Sequence, residues 1–345
     1  MADSIRLSLE ATEVLVTEAL TASRTSISNA RLTARALVAA EADGQNGHGL
    51  SRVSPYALQA RVGKVNGFAT PSAKLLAPAS IGVDAAHGFA YPAIDLALER
   101  LAPLARELGV ATAGIRRSHH FGQAGAHAER LALQGLVAIV FGNTPKAIAF
   151  AGGRTPMLGT NPIAFAAPLS GAPHGSPPPL VIDLALSIAA RGKIVAAQKA
   201  GTAIPTDWAL DREGHPTADA AAALAGTLSP IGGNKGAALA LMVEVLAAAL
   251  TGSSFGWEAS SMFDDRDGPP NVGHFIIALD PERLSDGLFA PRMRALATEF
   301  SRDESVRMPG SRRLIARARA AKEGLLIASS LHAEIVAIGR GAVAS

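Results

Sequence analysis

Residues 95–141 read DLALERLAPLARELGVATAGIRRSHHFGQAGAHAERLALQGLVAIVF. Two segments of this stretch, 95–107 and 124–134, carry apolar residues at helical spacing. Each is followed by a short apolar run, at 110–115 and at 136–141, that is typical of a buried strand. Helices that alternate with strands indicate an α/β core rather than a β-sandwich or a helical bundle.

The flanking regions extend this pattern in both directions. Apolar runs predict further strands at 163–166, 180–184 and 275–279. Helical spacing predicts two helices within residues 9–42, a buried helix at 237–250, and two more helices at 314–323 and 326–338. Helices at both ends around an α/β middle indicate that the two ends of the chain pack together as one domain.

The composition excludes several classes of protein. The chain has 345 residues, of which 48% are hydrophobic and 18% are charged, so it is not a disordered protein. Its formal net charge is only +3, and its basic residues are scattered, so we expect no nucleic-acid partner. The absence of cysteine excludes disulfides, thiol nucleophiles and Cys-ligated metals.

The N-terminal region does not have the pattern of a targeting signal. Glu10, Glu13 and Glu18 interrupt each of its apolar runs. The most apolar segment, 237–250, is too short to span a bilayer and contains Glu244. We therefore expect a cytoplasmic protein with no membrane partner, which agrees with the lack of cysteine.

The first motif that carries chemistry is GHGLSR, at residues 47–52. His48 lies between two glycines, where the chain can turn sharply and the ring is accessible. A histidine can exchange a proton near neutral pH, and Arg52 can bind a carboxylate through two hydrogen bonds. The pair suits a small acid whose reacting C=O or C=N lies next to its carboxylate. The alternative is a loop histidine beside a surface arginine.

A second motif, SHHFGQAG at 118–125, lies where a predicted strand leads into a predicted helix. Such a junction presents free backbone N–H groups to an anion. His119 and His120, with His127 nearby, also resemble metal ligands. Because adjacent side chains diverge and no carboxylate follows at a suitable spacing, we predict no metal site here.

Two basic motifs can bind phosphate. GGNKG at 232–236 precedes an apolar helix, whose N-terminus together with Lys235 can bind a phosphate group. RMPGSRR at 307–313 places three arginines around a Pro-Gly turn, which suits a ribose phosphate. The alternatives are an ordinary helix-entry turn and a solvated basic turn.

Several familiar signatures are absent or misleading. No G-x-G-x-x-G motif follows a predicted strand, and Gly339-Arg340-Gly341 has no helix after it, so no Rossmann domain is predicted. The chain has no G-x-S-x-G elbow, which argues against a hydrolase. Asp264, Asp265 and Asp267 lie in a Gly/Pro-rich loop, where we expect them to be solvated.

Taken in order, these segments resemble the malate/L-lactate dehydrogenase type 2 family of NAD(P)-dependent oxidoreductases. Part of the chain is similar to the Δ1-piperideine-2-carboxylate/Δ1-pyrroline-2-carboxylate reductases of that family. The matching segments cover residues 48–52, 84–90, 118–122, 158–165, 182–185, 190–193 and 232–236. Seven matching segments in the same order identify the family far more specifically than any one segment does.

The resemblance implies a fold and an assembly. The fold is mixed α+β, a non-Rossmann NAD(P)-binding fold with a mixed sheet and a helical domain built from both termini. Residues 1–64 and about 283–345 form the helical domain, which carries the proton donor. Residues 65–282 form the mixed-sheet domain for cofactor and substrate, within which 119–178 is a candidate subdomain. The resemblance also implies a homodimer.

The resemblance also implies the roles of individual residues. His48 is the proton donor, and Lys193 occupies a catalytic position next to it. The implied substrate-binding residues are Arg52, Thr160, Arg191 and Gly192. The implied cofactor-binding residues are His120, Phe121, Gly122, Gln123, Ala124, Asp183, Leu184, Ala185, Asn234, Lys235, Arg307, Met308, Pro309, Gly310, Ser311, Arg312 and Arg313.

The cofactor and the substrate follow from the same resemblance. The basic 307–313 turn, with Arg116 and Arg117, favours NADPH, with NADH as the alternative, because a 2′-phosphate requires positive charge. The His119-His120 pair resembles the reductases that convert Δ1-pyrroline-2-carboxylate or Δ1-piperideine-2-carboxylate to L-proline or L-pipecolate. Gly47 and Lys193 instead match the malate-like branch. We expect a reductase of a cyclic 2-imino acid. The alternatives are a malate/L-lactate-like 2-hydroxy-acid dehydrogenase and, more distantly, an inactive nucleotide-binding protein.

Overall fold

Strands and helices alternate through the middle of the chain, whereas helices dominate its two ends. The computed structural model describes residues 3–169, 178–303 and 305–342. The strands are β1 (Ser4–Leu7), β2 (Ser72–Ala77), β3 (Ser80–Asp84), β4 (Val110–Ser118), β5 (Val137–Gly142), β6 (Ile148–Ala149), β7 (Pro156–Leu158), β8 (Ile163–Ala167), β9 (Leu180–Leu184), β10 (Ala209–Leu210), β11 (Thr227–Leu228), β12 (Val272–Leu279) and β13 (Leu325–Ala328). The helices are α1 (Leu9–Thr21), α2 (Ile27–Ala42), α3 (Val53–Val62), α4 (Ala90–Leu108), α5 (Ala124–Ala132), α6 (Arg191–Ala200), α7 (Ala220–Ala225), α8 (Asn234–Glu244), α9 (Pro281–Leu284), α10 (Phe289–Phe300), α11 (Ser311–Glu323) and α12 (Ser329–Gly339).

The largest sheet has the strand order β2-β3-β4-β12-β5-β8-β9. Strands β3 and β4 pair in parallel and the other neighbours pair antiparallel, so the sheet is mixed. The strands predicted at 110–115, 136–141, 163–166, 180–184 and 275–279 all lie in this sheet. Helices α4 and α5 pack on the sheet and bury an apolar core. The predicted non-Rossmann, mixed α+β fold is confirmed.

A smaller sheet, ordered β10-β11-β6-β7, lies with α6, α7 and α8 around a separate apolar cluster. The predicted buried helix at 237–250 is correct only in part. Helix α8 covers Asn234–Glu244 and continues as a π-helical turn at Val245–Ala249. Only one side of this helical segment packs on the apolar cluster. Leu241 and Val245, on its other side, are exposed.

The two ends of the chain form a helical unit, which consists of α1, α2, α3, α11 and α12 with the strand pair β1 and β13. Its core buries Leu20, Leu37, Tyr56 and Ile335. The helix predicted at 326–338 begins later than expected. Residues 325–328 alternate between buried and exposed positions and pair antiparallel with β1, so they form a strand before α12.

The predicted domain boundaries, 1–64 with about 283–345 and 65–282, stay predictions. The candidate subdomain at 119–178 contributes strands to both sheets, and its residues 170–177 lie outside the described part of the chain. Among the described residues, no helix is both long and apolar enough to cross a membrane.

Candidate active site

A cleft of about 520 Å³ lies where the helical unit meets the mixed sheet. The 3₁₀ turns at Asn46–His48 and Leu50–Arg52, which join α2 to α3, form one side of it. The loop between β4 and α5 and the segments that flank β8 form other parts of the wall. We call this space the active-site cleft.

Many of the sequence-predicted residues line the active-site cleft, although they come from distant parts of the chain. They are His48, Arg52, His120, Phe121, Gly122, Ala124, Thr160, Asp183, Ala185, Arg191 and Gly192. The roles predicted for these residues stay predictions. Their convergence follows from the fold, because the turn after α2, the loop before α5 and the start of α6 meet at one edge of the mixed sheet.

Other lining residues were not predicted from the sequence. They are Gln45, Thr144, Pro145, Lys146, Ala147, Pro162, Ala190, Ala259, Ser261, Met262 and Phe263. A signal existed for residues 144–147, because they follow the predicted strand at 136–141 and loops after strands commonly carry binding residues. No comparable signal marks residues 259–263.

The turn that carries His48 is held by the end of α2. The Glu41 carboxylate accepts hydrogen bonds from the Asn46 side chain and, at 2.9 Å, from the Leu50 backbone N–H. Gly49 lies against Glu41 so closely that a Cβ there would overlap the carboxylate and lie 3.0 Å from the Glu41 nitrogen. A glycine is required at this position because of the close approach, and the approach fixes where His48 lies.

His48 is uncharged at neutral pH. Burial, reinforced by the positive charge of Arg52, lowers its pKa to about 4. Its Nδ1 atom is buried and has no hydrogen-bond partner within the described part of the chain. Nε2 is therefore the ring nitrogen that can exchange a proton with a molecule in the active-site cleft.

Arg52 is positioned by the turn in which it lies. Its Nε–H donates to the Gly47 carbonyl oxygen at 2.7 Å, and its guanidinium lies 4.7 Å from the ring centroid of Phe263. No carboxylate forms an ion pair with Arg52 in residues 3–169, 178–303 and 305–342. Its remaining N–H groups can bind an anion in the cleft.

The two adjacent histidines are held by separate partners behind His48. The His120 Nδ1 lies 2.6 Å from the Tyr56 hydroxyl, and the His119 Nε2 lies 2.8 Å from Gln59 Oε1. Burial raises the pKa of Tyr56 to about 12, so its hydroxyl keeps its proton and can donate it to His120. Burial lowers the pKa of His119 to about 3. No group of three or more potential ligands among the described residues could hold a metal ion.

A carboxylate of the protein binds one backbone N–H at the N-terminus of α5. The Gly125 N–H donates to Asp183 Oδ2 at 2.7 Å, so this one of the N–H groups that the sequence offered to an anion is already bound. Desolvation within the cleft raises the pKa of Asp183, and the Gly125 bond and the Arg313 charge oppose that shift. Asp183 still opens onto the cleft from its position near the end of β9.

Helix α6 begins with three residues that were predicted to lie in the site, and only two of them line the cleft. Arg191 and Gly192 line the cleft, and burial lowers the pKa of Arg191. Lys193 does not line it: its Nζ lies 5.7 Å from the ring centroid of Trp208. Successive helix residues point in different directions, which accounts for this separation, and the catalytic role predicted for Lys193 stays a prediction.

Arg313 is paired with carboxylates of the protein, and the cofactor contact predicted for it stays a prediction. It is buried, and its Nη2 donates to Glu129 Oε1 at 2.9 Å while its Nε lies 3.7 Å from Asp43. Arg317 contacts the same two carboxylates. The network ties α11 to α2 and α5, and Gln123, also predicted to bind cofactor, donates to Asp43 instead of lining the cleft.

The other predicted cofactor residues lie outside the lining of the cleft. Within the basic turn, Arg307 and Arg312 are exposed, and Met308, Pro309, Gly310 and Ser311 connect them. This turn lies beside β9, because a Cβ on Gly310 would lie 3.2 Å from the Val181 carbonyl oxygen. Asn234 and Lys235 are exposed in the first turn of α8, and Leu184 is exposed at the end of β9.

Asp264 has a structural contact that the sequence did not indicate. The Asp264 side chain is 42% exposed, in line with the expectation of a solvated carboxylate, and the buried Lys64 Nζ also lies 3.2 Å from its Oδ1. Gln59 also donates to the Asp264 carbonyl oxygen at 3.0 Å. These contacts attach Asp264 to α3 and to the residues just after it, and the neighbouring Phe263 lies against Arg52.

Comparison with known proteins identifies close relatives over nearly the whole chain. A family model described as malate/L-lactate dehydrogenase matches residues 7–336. A (2R)-3-sulfolactate dehydrogenase (NADP(+)) of Chromohalobacter salexigens is 52% identical over 89% of this chain and 90% of its own. A Δ1-pyrroline-2-carboxylate reductase of Ancylobacter novellus is 38% identical over 98% and 99%. The crystal structure of Δ1-piperideine-2-carboxylate reductase from Pseudomonas syringae pvar. tomato has a TM-score of 0.90 at 36% identity, over 97% of this chain and 99% of that one.

Proposed function

The chain belongs to the malate/L-lactate dehydrogenase family, and from that premise we propose that it is an NADP-dependent oxidoreductase acting at C2 of a small 2-oxo acid. The observation that carries the proposal is the pairing of His48 and Arg52 on one short segment that lines the active-site cleft. One side chain can exchange a proton, and the other can bind the carboxylate adjacent to the reacting carbon.

The positive charge of the cleft suits an anionic dinucleotide. Arg52, Lys146 and Arg191 line it, whereas Asp183 is its one lining carboxylate within the described part of the chain. Phe121, Gly122 and Ala124 would hold the nicotinamide end, and the exposed Arg307 and Arg312 beside β9 would contact phosphate. NADPH is the preferred cofactor because the relative with 52% identity is named as an NADP(+) enzyme. When bound, NADPH supplies the hydride that reduces C2.

His48 completes the reaction with a proton. Reduction of a 2-oxo acid adds a hydride to C2 and a proton to the carbonyl oxygen, which yields a 2-hydroxy acid. His48 Nε2 gives that proton in reduction and accepts it in oxidation. Because Arg52 helps to lower the pKa of His48, a substrate carboxylate that neutralises Arg52 raises this pKa and favours transfer to the oxygen.

Arg52 and Thr160 would set the orientation of the substrate. The Arg52 guanidinium is fixed through Gly47, so a carboxylate bound to it has a defined position relative to His48. The Thr160 hydroxyl lies 3.2 Å from the Thr144 hydroxyl, which holds it at the cleft wall. Such orientation determines which face of C2 receives the hydride.

A cyclic 2-imino acid is the second candidate substrate. It is favoured by the relatives at 36–40% identity that are named as Δ1-pyrroline-2-carboxylate or Δ1-piperideine-2-carboxylate reductases. An open-chain acid ranks first for two reasons. The relative with higher identity acts on sulfolactate by name, and the excess positive charge of the cleft disfavours a protonated imine.

The experiment is the oxidation of NADPH, followed by its absorbance, with the purified full-length protein. The substrates are 3-sulfopyruvate, oxaloacetate, pyruvate, Δ1-pyrroline-2-carboxylate and Δ1-piperideine-2-carboxylate, compared by kcat/KM. A higher value for the 2-oxo acids supports the proposal, and a higher value for the cyclic imines favours the second candidate. NADPH binding without turnover of any of them would refute both.

A further inference from the structure

We propose that Lys146 selects the substrate by binding a second acidic group, carried on C3 of a dianionic 2-oxo acid. The inference rests on the proposed function and narrows its substrate class to acids such as 3-sulfopyruvate and oxaloacetate. The chemistry shared by these molecules is a carboxylate on the reacting carbon and a second anion one carbon away. Lys146 would bind the second anion, while Arg52 binds the first.

The backbone around Lys146 is fixed on both sides. The Lys146 N–H donates to the Gly256 carbonyl oxygen at 2.8 Å, and the Ala147 N–H donates to the Leu158 carbonyl oxygen at 2.7 Å. The lysine follows β5 and lines the active-site cleft beside Thr144. Its side chain is nonetheless exposed, so a fixed backbone holds a solvent-accessible lysine at the cleft.

Lys146 has no acidic partner of its own. No carboxylate lies within ion-pair distance of its Nζ in the part of the chain that the structure describes. The lining carboxylate, Asp183, instead accepts a hydrogen bond from the Gly125 N–H. A cation that lines a cleft without a counter-ion is suited to bind an anionic ligand.

The charges of the cleft match a dianion better than a monoanion. Arg52 is attached to the turn that also carries His48, so it is the cation placed for the carboxylate next to C2. Lys146 lines the cleft from a different segment, the one that contacts Thr160 through Thr144. A monoanionic acid such as pyruvate would leave Lys146 without a partner, whereas an anion on C3 would provide one.

The opposing interpretation is that Lys146 binds a phosphate of the cofactor. In that case its removal would weaken every reaction equally and raise the KM for NADPH. If Lys146 binds the substrate, its removal affects dianionic acids alone. The two interpretations therefore differ in which substrates and which kinetic constants respond.

The test compares Lys146→Met with Lys199→Met, a matched change of an exposed lysine outside the cleft. For Lys146→Met we expect kcat/KM for 3-sulfopyruvate and oxaloacetate to fall about 10- to 100-fold, the range for a lost hydrogen bond between charged groups. The values for pyruvate and the KM for NADPH should change less than about 2-fold. Lys146→Arg should restore part of the loss, and Lys199→Met should match the parent protein.

A second measurement does not depend on turnover. Succinate and propionate are compared as competitive inhibitors, because succinate carries carboxylates on two adjacent carbons, as oxaloacetate does, and propionate carries only one. Lys146→Met should weaken succinate about 10-fold or more and leave propionate unchanged. Loss of pyruvate and dianion activity in equal proportion, a raised NADPH KM, or unchanged succinate inhibition would each overturn the assignment of Lys146. Absence of any 2-oxo acid reduction by the parent protein would instead refute the proposed function.

Discussion

The imidazole rings of His48 and His120 are stacked, with their centroids 5.2 Å apart and their planes inclined by 21°. His48 belongs to the turn after α2, and His120 belongs to the loop before α5. Burial and the nearby charges of Arg52 and His48 lower the pKa of His120 well below its usual value. Both rings are therefore neutral at neutral pH, and His48 is the one that lies next to the predicted substrate carboxylate site.

Replacement of His48 by alanine should remove the proton donor and leave cofactor binding intact. We expect kcat to fall about 10²- to 10⁴-fold, the usual contribution of a general acid or base, while the Kd for NADPH changes less than about 2-fold. Steady-state kinetics and fluorescence titration of NADPH measure the two quantities. A kcat within about 5-fold of the parent value would mean that water or the substrate supplies the proton.

The pH dependence should differ between the two directions of the reaction. Because the pKa of His48 in the free protein is lowered to about 4, its neutral form predominates above that pH. For oxidation of the 2-hydroxy acid, which needs the neutral ring, kcat/KM should rise to about pH 5 and then stay level. For reduction, which needs the protonated ring, kcat/KM should fall about 10-fold per pH unit above pH 5.

The same argument predicts that kcat for reduction will fall at a higher pH than kcat/KM. A bound carboxylate neutralises Arg52 and so removes one of the two causes of the lowered pKa of His48. The rate is measured as a function of pH at saturating substrate, which gives kcat, and at limiting substrate, which gives kcat/KM. Identical profiles would contradict the coupling between Arg52 and His48.

Substitution of Tyr56 by phenylalanine should destabilise the protein through His120. The Tyr56 hydroxyl is the side-chain partner of His120 Nδ1 at 2.6 Å, so its loss leaves a buried nitrogen unsatisfied. We expect a loss of about 1–3 kcal/mol in the free energy of unfolding, measured by urea denaturation. Tyr91→Phe is the control: its hydroxyl lies 3.4 Å from that of Tyr56, and it should cost less. Equal losses in the two variants would argue against a specific role for the His120 contact.

Substitution of Arg313 by methionine should affect stability and not cofactor choice. Arg317 still contacts both Glu129 and Asp43, and Gln123 still donates to Asp43, so we expect a loss of about 1–3 kcal/mol in unfolding free energy. The exposed Arg312→Met should cost less than about 0.5 kcal/mol. An Arg313→Met protein of normal stability with a raised NADPH KM would restore the sequence-based prediction for this residue.

Two glycines that flank His48 should respond differently to alanine. At Gly49 a Cβ meets Glu41, so we expect a loss of about 1–3 kcal/mol in stability, with lower kcat as His48 is displaced. At Gly47 no atom lies within 4 Å of the added Cβ, so Gly47→Ala should stay close to the parent protein. Thermal unfolding and kcat are measured together, and an inert Gly49→Ala would show that Glu41 does not fix the turn.

Much of the fold could be predicted because periodicity is a local property. The alternation of helices and strands between residues 95 and 141 depends on neighbours within a few positions, and the sheet contains the strands expected there. The helix predicted from residue 326 was wrong at 325–328, because the structure there depends on a distant partner. Those residues form a strand because β1 pairs with them from the other end of the chain, and no local pattern records that partner.

The candidate site divides in the same way. The chemical groups available could be read from the order of residues: a histidine between glycines, an arginine four residues later, and no cysteine for thiol or metal chemistry. Their use depends on the three-dimensional arrangement of the chain. Arg313 became a partner of Asp43 and Glu129, Lys193 turned toward Trp208, and Lys146 reached the active-site cleft. The physical reason is that a charge acts on whatever lies within a few ångströms, and those neighbours come from segments far apart in the chain.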